Sequence, residues 1–263
     1  TKSVFSLGLL RSGTRFAAGI VALVAAVGMT TFAHAGNYSY GNFSGTNVTF
    51  TDVAESSVTD PQALYGNPIL SGDSLLFQSA DFFSEAGSGS SDTTEGILTL
   101  TVEAGSGLAI ERVNASEVGN YLLNGNGTSA TSASVTATLV LTPYIGLAQL
   151  PDIVSILSVA PSPPPYSLGG GLTKGLFNGP TTIDLVNDYF LVGVTKVDVS
   201  FTNLLETTSE AESLALIQKS FESFSTLTFE TNGSGPTVPE PSSLALVLTG
   251  LAAVFGLVRR RRS

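Results

Sequence analysis

Leu98-Thr99-Leu100-Thr101-Val102-Glu103 decides the fold class of this 263-residue chain. Leu98, Leu100 and Val102 point one way, and Thr99, Thr101 and Glu103 the other. A period of two makes a strand with one buried and one wet face. The pattern recurs outward from this stretch. Val48 and Phe50 alternate with Thr49 and Thr51, and Val135, Ala137, Leu139 and Leu141 alternate with Thr136 and Thr138. Val197, Val199 and Phe201 alternate with Lys196, Asp198, Ser200 and Thr202, and Leu227 and Phe229 with Thr226, Thr228 and Glu230. Such strands belong to antiparallel sheets, and their Thr and Val content suits a pleated surface.

Turn-rich stretches separate the strands. Residues 86–92 read AGSGSSD, residues 124–128 read NGNGT, which is an Asn-Gly hairpin signal, and residues 161–165 read PSPPP, an extended polyproline-like run. Residues 209–224 fit a helix, with Leu214, Ile217, Phe221 and Phe224 near one face, or an edge hairpin; the surrounding strands favour the strand. The expectation is an all-β fold, an antiparallel β-sandwich of jelly-roll-like form over residues 36–237.

The two ends differ from this middle. Residues 242–258 hold no charge, the lower end of what spans a bilayer as a helix. Pro241 suits a first helical position, and Glu240 a helix N-terminus. Arg259, Arg260, Arg261 and Arg262 form a stop-transfer cluster that stays cytoplasmic by the positive-inside rule, leaving everything before Ser242 outside.

Val238, Pro239, Glu240 and Pro241, then the apolar stretch, then the arginines, resemble the PEP-CTERM sorting signal of bacteria that make extracellular polysaccharide. The resemblance covers residues 238–263. It implies that an exosortase, a membrane-embedded cysteine transpeptidase, is a transient partner that cuts near Pro239-Glu240-Pro241. It also implies an inner-membrane-anchored precursor and a final place at the cell surface or in the extracellular matrix.

The other end agrees. Lys2, Arg11 and Arg15 give a positive region, residues 16–27 an apolar one, and Ala33-His34-Ala35 a small-x-small cleavage pattern. Residues 1–35 therefore read as a signal peptide cut after Ala35. With both ends set aside, the basic residues are Arg112, Lys174, Lys196 and Lys219, against 20 acidic ones. A surface this acidic repels nucleic acid and favours solubility.

Chemistry is narrowed further. The chain has no Cys and no Trp, and its one histidine, His34, lies in the signal peptide. Ser-His-Asp and Cys-His catalysis and His- or Cys-based zinc sites need residues the mature domain would lack. Residues 169–175 (GGGLTKG) lack phosphate-loop spacing and read as a plain loop. Carboxylates remain: Asp184 and Asp188 flank an apolar run, and Glu206, Glu210 and Glu212 lie close in sequence, but neither set matches a glycosidase pattern. Ser91-Asp92-Thr93-Thr94-Glu95 offers oxygens that would suit Ca²⁺, without an EF-hand loop. The Ser/Thr run 128–138 could accept O-linked sugar, though it reads first as sheet surface. The expectations are therefore no catalytic residue, no metal site beyond such a Ca²⁺ option, and no cofactor. The chain reads as a non-enzymatic surface or matrix protein linked to exopolysaccharide or biofilm. A carbohydrate- or Ca²⁺-binding lectin-like module is the alternative, and a carboxylate-dependent glycosidase is the remote one.

Overall fold

The computed structural model describes residues 36–79, 81–157, 165–219 and 225–232. They form fifteen strands: β1 (Gly36–Ser44), β2 (Val48–Ser57), β3 (Ile69–Ser71), β4 (Ser74–Phe77), β5 (Phe83–Gly87), β6 (Ser91–Ala104), β7 (Ala109–Gly125), β8 (Ser132–Ile145), β9 (Ala148–Gln149), β10 (Ile153–Ile156), β11 (Tyr166–Ser167), β12 (Thr173–Asp184), β13 (Lys196–Thr208), β14 (Ser213–Lys219) and β15 (Ser225–Asn232). Among the described residues no helix is long and apolar enough to cross a membrane.

All pairings are antiparallel and fall into two sheets. The first runs β1-β2-β6-β13-β8-β10, with β9 and β11 also on β8. The second runs β3-β4-β15-β7-β14-β5, with β12 on β7. The inward positions are those the alternation assigns: Leu98, Leu100, Val102, Val197, Val199 and Phe201 are buried from one sheet, and Leu227 and Phe229 from the other. Phe50 of β2 meets Phe229 of β15 edge to face, with ring centroids 5.7 Å apart, so the two sheets share one core.

The second sheet is built around β7. β12 pairs with it from Arg112 to Leu123, filling one edge. The other edge is shared end to end: β15 pairs with Ala109–Ser116, and β14 with Gly119–Gly125. Glu117 and Val118 fall in the gap between those two partners.

This arrangement corrects the hairpin expected at residues 124–128. Both edges of β7 are already occupied at its C-terminal end, so β8 cannot pair with it and the chain arches into the first sheet. Residues 88–90 and 209–212 make similar arches, between β5 and β6 and between β13 and β14. The three interlock at one end of the sandwich. The Ser88 amide donates to Ser213 O at 3.0 Å, that of Gly89 to Glu210 O at 3.1 Å, and that of Ser209 to Ser90 O at 2.9 Å. The Glu210 carboxylate accepts from the Thr128 amide and from the Thr128 and Thr131 hydroxyls. Ser88, with φ 54°, and Glu212, with φ 60°, take the left-handed backbone these tight crossings need.

Two further expectations are refined. Residues 213–219 are a strand, as the context favoured, but an interior one between β7 and β5, not part of an edge hairpin. Only residues 169–172 of the GGGLTKG stretch are loop, because Thr173 already begins β12. The run 161–165 lies almost wholly outside the described residues.

Candidate functional site

Three strands place a polar residue where their pattern calls for an apolar one. On β7 the inward series Val113, Ala115 continues to Glu117. On β14, Ala215 and Ile217 lead to Lys219, and on β13, Phe201 leads to Asn203 before Leu205. The sandwich brings the three together between the sheets. Their relative exposures are 1%, 2% and 0% for Glu117, Lys219 and Asn203, where long charged side chains are rarely found unpaired.

The Glu117 carboxylate is the hub. Lys219 Nζ lies 2.7 Å from its Oε2. Asn203 Nδ2 donates to its Oε1 at 3.2 Å, and Ser225 Oγ donates to Oε2 at 3.1 Å. Lys219 and Ser225 reach it from the facing ends of β14 and β15, on either side of the gap along β7.

Aromatic rings close the cluster. Lys219 Nζ sits 4.4 Å from the ring centres of Tyr65 and Phe82 and 5.8 Å from that of Phe201. Gly96, paired with Asn203 across β6 and β13, leaves room for these rings: a Cβ there would come within 2.9 Å of Phe82 Cε1 and 3.1 Å of Tyr65 Cε2. Tyr65 is itself held by Glu55, a buried carboxylate that accepts from the amides of Leu64 and Tyr65 and from Tyr40 Oη. Burial, and then the Glu55 bond, push the Tyr40 hydroxyl far above its usual range. Tyr65 Oη accepts from Asn203 Nδ2 at 2.7 Å and faces Phe201 O at 2.9 Å.

The electrostatics follow from dryness. Burial pushes the Lys219 amine down from its usual range, and the Glu117 charge opposes that shift. Burial, followed by the Glu117 charge, pushes the Tyr65 hydroxyl up. Asn203 Oδ1 is buried with no hydrogen-bond partner. A basic amine, a carboxylate and a carboxamide thus meet in an apolar, water-excluding box, an arrangement able to transfer a proton between its members.

The residues singled out from sequence lie elsewhere. Ala33, Ala35, Val238, Pro239, Glu240, Pro241 and Arg259 to Arg262 are outside the described residues, as is the expected span 242–258. Asp184 anchors a surface network, accepting from Asn187 and pairing with Arg112 at 2.8 Å, while Arg112 also reaches Glu230 at 2.7 Å. Glu206 accepts from Ser134, and Glu210 ties the arches, so these carboxylates serve separate places. Asp92 lies within β6 and accepts from the Glu85 amide. Among the described residues no three groups of metal-binding type converge.

On the outer face of the second sheet, Asn120, Leu122, Lys174, Leu176 and Leu216 line a groove of about 460 Å³ with Tyr121 and Gly175. Arg112, Lys196 and Lys219 are all ion-paired, while Lys174 in this groove has no carboxylate partner among the described residues.

No curated protein matches the chain. Among solved structures, that of infectious bursal disease virus, Gx strain, aligns at 12% identity and a TM-score of 0.21, covering 84% of this chain and 69% of that one. The T13 IBDV viral particle aligns at 11% identity and 0.22, covering 83% and 65%. Scores this low do not establish a shared fold. The tail gives the positive finding: residues 237–262 match the PEP-CTERM protein-sorting motif, so this chain carries the sorting signal of exosortase substrates.

Proposed function

We propose that the chain is an exported bacterial surface or extracellular-matrix protein, delivered through its tail and acting as a structural component without catalytic turnover on external substrates. The match at residues 237–262 carries this reading, because such a motif directs a membrane-held precursor to exosortase and then to the cell surface. The signal-peptide pattern ending at Ala35 and the strongly acidic β domain support it. The acidic domain would associate with exopolysaccharide through bridging cations or neutral hydrogen bonds, not through direct attraction to polyanions. The test is fractionation of cells expressing the full chain and a form lacking residues 239–263. Loss of surface delivery in the deletion is the expected result, and an unchanged distribution overturns the proposal.

One observation favours a second reading, a carbohydrate-binding module. The outer groove combines apolar walls from Leu122, Leu176 and Leu216 with polar groups from Asn120 and Lys174. Titration with a polysaccharide panel, with and without Ca²⁺, tests it; binding lost in Leu176→Asp would place the ligand there.

A further inference from the structure

We propose that Lys219 and Asn203 become joined by an intramolecular isopeptide bond, with Glu117 as the proton carrier. The bond would link β14 of one sheet to β13 of the other through the core.

The geometry supplies what amide exchange needs. One carboxylate holds both reacting groups: Lys219 Nζ lies on Oε2 at 2.7 Å and Asn203 Nδ2 on Oε1 at 3.2 Å. Holding an amine and a carboxamide on the two oxygens of one carboxylate replaces a bimolecular encounter with an intramolecular one, which accounts for very large rate gains. Burial lowers the cost of deprotonating Lys219, and only the neutral amine is a nucleophile. The box formed by Tyr65, Phe82 and Phe201 keeps out the water that would otherwise compete.

The step balances without an outside reagent. Lys219 ammonium passes a proton to Glu117, giving a neutral amine and a carboxylic acid. The amine attacks Asn203 Cγ, and the Glu117 proton goes to the developing oxyanion at Oδ1, an atom with no hydrogen-bond partner in the unreacted cluster. Collapse breaks the Cγ–Nδ2 bond. Nδ2 leaves as ammonia, taking one proton that Glu117 relays from Nζ. As the carbonyl re-forms, the Oδ1 proton returns to Glu117, which finishes protonated and donates to the new carbonyl. The Nζ–Cγ bond forms, the Cγ–Nδ2 bond breaks, and no electrons are gained or lost.

The energetics favour the product over a permanent ion pair. A buried Lys–Glu pair carries a desolvation penalty for both charges, and the unpartnered Asn203 Oδ1 adds another. Afterwards both charges are gone and the orphan oxygen has a donor.

Mass spectrometry of the purified full chain decides the matter. The expected result is a folded protein lighter by one ammonia, whose proteolytic digest contains a branched peptide joining residues 203 and 219. Glu117→Gln should restore the full mass, and Asn203→Asp should lose one water in place of ammonia. Linear peptides bearing unmodified Lys219 and Asn203, recovered from folded wild-type protein, would overturn the proposal. So would an ammonia loss that persists in Lys219→Arg. A branched peptide that survives in Glu117→Gln would remove Glu117 from the chemistry.

Discussion

Asn203 Nδ2 donates to Tyr65 Oη at 2.7 Å, a buried bond between residues 138 positions apart. It ties a loop residue to the centre of β13 and fixes the ring over Lys219. Tyr65→Phe keeps the ring but removes the hydroxyl that donates to Phe201 O at 2.9 Å, a buried bond that does not depend on whether Asn203 has given up Nδ2. A loss of about 1–3 kcal/mol of stability is expected in chemical denaturation. An unchanged midpoint would show that the hydroxyl contributes nothing.

Gly96 is the space on which the aromatic box depends. A Cβ at 2.9 Å from Phe82 and 3.1 Å from Tyr65 meets ring atoms backed by the core, which cannot swing aside. Gly96→Ala should cost about 1–3 kcal/mol by overpacking. It should also lower the yield of the 203–219 branched peptide, which a digest would read directly.

The proposed bond predicts a stability difference as well as a mass. Closing the loop from residue 203 to 219 removes unfolded-state entropy worth about 3 kcal/mol for a loop of this size. Wild type should therefore unfold at higher denaturant than Glu117→Gln, with the branched peptide present in one and absent in the other. Equal midpoints would argue that the link is absent or strained.

Asp184 gives a pH prediction. Hydrogen bonds from the Asn187 backbone and side chain, then the Arg112 guanidinium, hold its carboxyl well below the usual carboxylate range. A depressed folded-state value stabilises above the unfolded range, near roughly pH 4, and that contribution fades as pH falls through the lower folded value. Asp184→Asn should lower stability at neutral pH and flatten the acid limb of the stability curve. Acid titration monitored by circular dichroism checks this; parallel curves for the two proteins would refute it.

Phe50 and Phe229 join the sheets edge to face, and both are almost fully buried. Either one changed to Ala should cost about 3–5 kcal/mol. The double variant should cost less than the sum, because the ring pair is lost only once.

The strands were legible because half-buried sheets leave a period-two trace: Leu98, Leu100, Val102, Val197, Val199 and Phe201 all point inward as the alternation says. The hairpin at residues 124–128 was not, because turn chemistry is local while the edges of β7 are claimed by strands far along the chain. The Lys219–Glu117–Asn203 cluster left a signal that strand-by-strand reading passes over. Each residue occupies an apolar phase of its own strand, and only the three breaks taken together reveal a common destination. Tyr65 left none, since it lies in a loop whose path Glu55 fixes.

The sharing of β7 between later strands sets the order of assembly. Its partners β12, β14 and β15 all follow it in sequence, and the last of them ends at Asn232. Until that residue has emerged, the longest strand of the second sheet lacks a partner along part of its edge, and β4 and β5 wait on β15 and β14. Non-local pairing of this kind makes folding slow. Under the proposed export, N-terminus first through a membrane, the chain would stay unfolded during transit and close its core only when nearly all of the domain had crossed.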